Sequence, residues 1–231
     1  MNTAVINTYS QGGQSDDNSF TYYCKFNNNT FDEVGNLIPI TNTLTFEASS
    51  NDQAAIFNSV NDLVLPSDDA FLFSDGTNDI PFSIVIHLKR DATGNVYILS
   101  QSAESYRVYL FGNTIRLAIL SQNSWSNFIY SIATVTTPTG TYFTSIITYD
   151  GTGIGGIKIY QDGVGVTGTN VEVGTYVSMK STIDTTSIGE AYTGGNSFIG
   201  KIDTIAVLKK ELTPTEVTDI HSKLINGDSL I

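Results

Sequence analysis

Carboxylates, two histidines and one cysteine are the side chains of this chain that could break bonds, and their spacing argues against that use. Glu33, Glu47, Glu104, Glu172, Glu190, Glu211 and Glu216 are scattered, with no two at alternate positions of one strand. Glycosidic cleavage needs two carboxyls facing each other across the scissile bond, roughly 5–10 Å apart. His87 and His221 have no serine or cysteine nucleophile at a recognisable spacing, so each reads as a sheet or surface residue. Cys24 is the only cysteine, which rules out a disulfide within this sequence and a four-cysteine zinc site, and it reads as a small buried apolar residue. Binding chemistry is better represented. Trp125 and Tyr192 can lie flat against a ring, and Asn127 and Asn196 can satisfy hydroxyls beside it. Against this stand 12 Tyr and 12 Phe, most of which a β-protein needs for its core.

Charge narrows the partners. Lys and Arg total 11 against 23 Asp and Glu, giving a formal net charge of −12, which repels a polyphosphate, so no nucleic-acid partner is expected. No apolar run approaches membrane-spanning length, and no membrane partner is expected. Met1 to Ser19 lacks a basic leader followed by an apolar core and does not read as a conventional signal peptide.

The elements that must position these residues are mostly strands. Phe82, Ile84, Ile86 and Leu88 alternate with Ser83, Val85 and His87, the period of a half-buried strand. Tyr106–Phe111 and Thr114–Leu120 flank Gly112-Asn113 and read as a hairpin through a tight turn. Tyr142–Tyr149 and Ile157–Tyr160 read as a second, with Asp150-Gly151 and Asp162-Gly163 as turns. The stretches 134–141 and 163–175 read as loops or edge strands. Near the C-terminus a glycine-kinked strand, Ser197 to Leu208, leads into Leu212-Thr213-Pro214-Thr215-Glu216. There Thr213 and Glu216 form a capping box, Pro214 suits the first helical position, and Leu212 with Val217 forms a hydrophobic staple. A helix over 214–224 follows, burying Val217, Ile220 and Leu224 and stopped by Asn226-Gly227. Length and pattern give one domain over 20–231 behind a polar arm, 1–19.

Several of these motifs, taken in order, resemble the laminin G-like group of concanavalin A-like jelly rolls. The opening strand Tyr22–Asn27 with Asp32-Glu33-Val34-Gly35-Asn36, the strand Ala54–Asn58, the long strand Phe82–Lys89, Tyr149-Asp150-Gly151 with Ile157–Gly163, Ser187-Ile188-Gly189, and the run Phe198–Glu216 carry the resemblance over residues 20–226. It implies an all-β fold, a concanavalin A-like jelly-roll β-sandwich with a short C-terminal helix. The chain departs from the group by placing His87 where its long strand commonly has tryptophan, which weakens any expectation of a shared aromatic platform.

Carbohydrate binding is what the resemblance implies most generally, with Trp125, Asn127, Tyr192 and Asn196 as the suitable residues. Sugar-cleaving relatives group glutamates as E-x-D-x-x-E on one strand, and that grouping is missing here. The resemblance also implies a possible structural calcium on Asp203, with Asp32 and Asn36 nearby, although no compact calcium-loop sequence accompanies them. Two non-catalytic readings follow. One is a structural or decoration protein of a large particle such as a phage virion, displayed on the virion surface, joined to other particle subunits through residues 1–19 by strand addition and holding host-surface glycans weakly. The other is a free microbial lectin module, extracellular without a conventional signal peptide. A glycoside hydrolase is the reading these residues support least.

Overall fold

The computed structural model describes residues 19–231 apart from 36, 50–51, 60–61, 102–104, 122–123, 137 and 192–194, and, for 124 and 125, the backbone. The strands of the first half are β1 (Phe20–Lys25), β2 (Thr41–Asn42), β3 (Thr45–Ala48), β4 (Gln53–Asn58), β5 (Leu63–Leu65), β6 (Phe82–Arg90), β7 (Asn95–Gln101) and β8 (Tyr106–Phe111). Those of the second are β9 (Thr114–Ser121), β10 (Ser124–Thr134), β11 (Tyr142–Tyr149), β12 (Ile157–Gln161), β13 (Val164–Val166), β14 (Gly168–Val173), β15 (Thr186–Ile188) and β16 (Ile199–Leu208), and helix α1 (Pro214–Asn226) follows.

These strands form two antiparallel sheets. Sheet A runs β13-β12-β11-β6-β16-β4-β3, with β1 also paired to β16, and sheet B runs β14-β10-β9-β8-β7-β15-β5-β2. This is the expected jelly-roll sandwich, and both expected hairpins are present, β8–β9 and β11–β12. The stretch 163–175 supplies β13 and β14, which sit at one edge of sheet A and one edge of sheet B.

Alternation decides which side chains meet between the sheets. On β6 the inward set, Phe82, Ile84, Ile86 and Leu88, joins Phe57, Phe73, Tyr106 and Phe198 in a core of buried rings and aliphatic groups. Each large side chain of this kind contributes on the order of 1.5–3 kcal/mol by leaving water. Cys24 lies fully buried in this core, as its type suggests, and burial pushes its thiol pKa well up. Gly200 of β16 pairs in register with both Phe57 and Arg90, and a Cβ there would collide with the Lys89 carbonyl of β6. A register shift between Ile202 and Thr204 makes Asp203 an extra residue in the β16–β6 pairing.

Helix α1 covers the outer face of sheet A. Its stripe of Val217, Ile220 and Leu224 packs with Leu212 and Leu230 onto Tyr23, Val85, Ile146, Ala206 and Leu208, forming a second core. The capping box at Thr213 and Glu216 is present. Gly227 adopts the left-handed conformation at φ 76° and closes the helix two residues beyond the expected end at 224. The two histidines, unrelated in sequence, meet beneath the helix. Nδ1 of His87 lies 3.0 Å and Nδ1 of His221 2.9 Å from Oγ1 of Thr144, on β11. One hydroxyl has one hydrogen, so at least one of the two rings carries its proton on Nδ1.

Candidate functional site

The one α-helix among the described residues sits on sheet A, and the outer face of sheet B stays partly open. Strand alternation puts unusual side chains there. On β8, Tyr106, Val108 and Leu110 turn into the core, so Arg107, Tyr109 and Phe111 turn outward. On β9, Ile115 and Leu117 turn inward and Arg116 outward. The turn at Gly112-Asn113 sets Tyr109 opposite Arg116, and pairing to β7 sets Tyr97 opposite Tyr109. Three adjacent strands therefore carry one row of Tyr, Tyr and Arg across the sheet.

The rings and guanidinium groups order one another. Tyr97 and Tyr109 stack with centroids 5.5 Å apart and 24° between planes. Arg107 spans both, its Cζ 5.8 Å from the Tyr97 ring centre and 6.0 Å from that of Tyr109. Arg116 lies 4.5 Å from the Phe111 ring centre and 5.8 Å from that of Tyr109, and its Nε donates to Thr114 Oγ1 at 3.1 Å. Further along, Phe128 and Tyr130 of β10 stack at 5.7 Å and 28°. Cation–π contacts of this kind contribute about 0.5–1 kcal/mol each at exposed sites. The hairpin carrying the row is held from behind. Arg90 of sheet A, itself buried, donates Nη1 to the Gly112 carbonyl at 3.0 Å and Nη2 to Asn113 Oδ1 at 3.3 Å.

A cleft of about 320 Å³ lies at one end of the sandwich, lined by Asn78, Asp79, Thr152, Glu172 and Tyr176. Asp79 organises it by accepting from the Tyr149 hydroxyl at 2.6 Å, the Tyr176 hydroxyl at 2.5 Å and the Met179 N–H at 2.5 Å. Burial, followed by the bond to Asp79, pushes both phenol pKa values well up, so they remain protonated donors. Three of the carboxylate's roughly four acceptor positions are thus occupied by the protein itself.

Of the expected sugar residues, Asn127 and Asn196 can be placed, and neither belongs to the row. Trp125 belongs to β10, but its side chain lies outside the described residues, as does the whole of Tyr192. Asn127, half-buried on β10, uses Oδ1 to accept the Thr175 N–H at 3.2 Å and braces the turn at Gly174. Asn196 is exposed, at φ 51°, and its carbonyl accepts the Tyr97 N–H at 2.8 Å. Strand order separates β10 from β7 by β9 and β8, so Asn127 on β10 and Asn196 beside β7 are not neighbours on the sheet.

The proposed calcium ligands do not form an open donor set. Asp32 is fully buried, and its two oxygens accept the N–H groups of Tyr23, Val34, Gly35 and Leu37 at 3.0–3.1 Å. Those four donors fill a carboxylate's acceptor positions. Asp203, also buried, accepts from the Ser49 hydroxyl at 2.7 Å and the Thr204 hydroxyl at 2.9 Å. Lys201 pairs with Glu47 and Lys25 donates to the Gly227 carbonyl, so neither lysine takes the Asp203 carboxylate. Asn36 lies outside the described residues. Among the described residues no group of three or more His, Cys, Asp or Glu is placed to hold a metal.

A family model described as the concanavalin A-like lectin/glucanases superfamily matches residues 58–218. The chain belongs to this superfamily. No curated protein matches it in sequence. Among solved structures, the binding domain of botulinum neurotoxin serotype G aligns with TM-score 0.69 at 14% identity, over 89% of this chain and 51% of that one. The binding domain of Paraclostridial Mosquitocidal Protein 1 aligns with TM-score 0.69 at 12% identity, over 90% and 53%. Domain 4 of AbnA, an extracellular arabinanase from Geobacillus stearothermophilus solved with arabinotriose, aligns with TM-score 0.63 at 20% identity, over 88% and 98%. The superfamily member described here thus spans about half of each toxin domain and nearly all of the arabinanase domain. At these identities the likeness shows the fold, a jelly-roll sandwich.

Proposed function

We propose that the chain is a non-catalytic carbohydrate-binding module whose binding surface is the outer face of sheet B. The observation that carries this reading is the row of Tyr97, Tyr109 and Arg116, flanked by Arg107 and Tyr130, on a sheet face that the helix leaves uncovered. Flat, half-exposed rings with polar tips give large contact area at low entropic cost, and contiguous patches of them on a folded surface mark recognition. Scattered glutamates and the carbohydrate complex of the arabinanase domain support binding over cleavage. The expectation of a virion setting draws no comparable support from the fold relatives named above, which are toxin binding domains and an arabinanase domain, and most of the arm, residues 1–18, lies outside the described residues.

The test is titration calorimetry or ligand-observed NMR with arabino-, gluco-, galacto- and uronate oligosaccharides, on the protein and on Tyr109→Ala and Tyr97→Ala. Binding of at least one class, weakened tenfold or more by either substitution while the melting temperature holds, is the expected result. Binding that survives both substitutions would move the site elsewhere, and no binding across the panel would overturn the reading.

A further inference from the structure

Charge on the aromatic face runs against that of the molecule. The chain has three arginines in a background of −12, and Arg107 and Arg116 both stand on this face. The outward positions of β8 and β9 hold no aspartate or glutamate. Arg116 makes no ion pair among the described residues, and its contacts are the two rings and the Thr114 hydroxyl. Stacking of this kind leaves the edge of a guanidinium plane, where its N–H donors point, available to an incoming group.

We infer that this face selects a saccharide bearing a carboxylate, such as a uronate or sialate unit. The inference rests on the carbohydrate reading above and specifies its ligand. A planar carboxylate matches the guanidinium fork bidentately, while the sugar ring attached to it lies against Tyr109 or Phe111. The overall negative charge does not forbid this. At physiological ionic strength the Debye length is about 8 Å, so the carboxylates elsewhere on the molecule are largely screened while the guanidinium in contact is not. The same screening argument sets a limit. A ligand carrying one carboxylate per contacted unit suits the face, whereas a dense polyanion would also meet the acidic remainder of the surface.

The experiment compares trigalacturonate with its fully methyl-esterified form, which keeps the sugar rings and removes the charge, and with a glutamate peptide of equal net charge. The protein, Arg116→Gln and Arg116→Lys are each titrated at two salt concentrations. The expected result is at least tenfold tighter binding of the acid than of the ester, weakening with salt. Arg116→Gln should abolish that preference, and Arg116→Lys should restore part of it, because lysine keeps the charge and loses the fork. Should Arg116→Gln fail to fold, Arg116→Lys still separates charge from geometry. Equal binding of acid and ester would overturn the inference and leave carbohydrate binding standing. Equal binding of the glutamate peptide would overturn the saccharide class, and failure of both acid and ester to bind while a neutral oligosaccharide of the panel binds would overturn the inference and leave the carbohydrate reading standing.

Discussion

The two sheets carry opposite chemistry on their outer faces. On sheet A the outward positions include Val85, Ile146, Ala206 and Leu208, and they disappear beneath the stripe of α1. On sheet B the outward positions include Tyr97, Tyr109, Tyr130 and two arginines, and they remain half-exposed. Aliphatic groups gain only by leaving water, so a face made of them needs a cover. Tyrosine and arginine join an apolar body to a polar tip and can wait in water without demanding burial. One face consolidates the fold, and the other is available to a ligand.

Substitutions on the covered face should cost stability and leave the ligand face untouched. Leu224→Ala removes a fully packed side chain from the helix–sheet core and should lower unfolding free energy by about 2–5 kcal/mol in urea titration. Oligosaccharide affinity of the folded fraction should stay unchanged, and a parallel loss of binding would show that the two faces are coupled. Thr213→Ala deletes the helix cap, whose Oγ1 accepts the Glu216 N–H, and should cost about 1 kcal/mol by the same measurement. Tyr109→Ala reverses the pattern. Its half-exposed ring should contribute less than about 1 kcal/mol to stability, while its loss weakens sugar binding tenfold or more. A large drop in melting temperature on that change would mean that the row is structural.

A pH titration sharpens the same contrast. Burial lowers the His87 pKa, and the neighbouring His221 lowers it further, while Asp203 of β16 and Asp162 of the β12–β13 turn pull in the other direction. With its folded value below the unfolded one near 6.5, His87 takes up a proton more readily once unfolded. The stability linked to it is complete above that unfolded value and erodes as pH falls from there toward the lowered folded value. Urea melts between pH 8 and pH 5 should show this decline, and His87→Asn should flatten it. An unchanged slope in the variant would assign the decline to other groups.

Much of the architecture was legible in short stretches. The capping box, the staple and the apolar stripe of α1 are local patterns, and all of them appear in the structure. The β8–β9 hairpin followed from Gly112-Asn113, and a two-residue turn already sets Tyr109 against Arg116. That half of the aromatic row was therefore within reach of the sequence. The remaining half was not accessible. Tyr97 reaches the row across a pairing that shifts register between Tyr97 and Leu99, and Tyr130 arrives through a β9–β10 pairing whose register also shifts between Ser124 and Phe128. A shift of one residue exchanges the two faces of a strand, so alternation alone cannot carry a side chain's direction through it.

Asp32 and Asp203 make the same point. Sequence supplied two carboxylates in plausible positions, and only the folded chain showed Asp32 filled by four backbone N–H groups and Asp203 bonded to two hydroxyls. What the sequence by itself determined is the two hairpins, the long strand β6, the capped helix and the jelly-roll class, because these follow from periodicity and from neighbours within a few residues. Tertiary structure alone decided which sheet face the helix covers, which rings and guanidinium groups gather on the other, and which polar atoms are already satisfied. Those outcomes depend on contacts between residues up to about two hundred positions apart, such as Tyr23 with Leu230, and no local pattern encodes them.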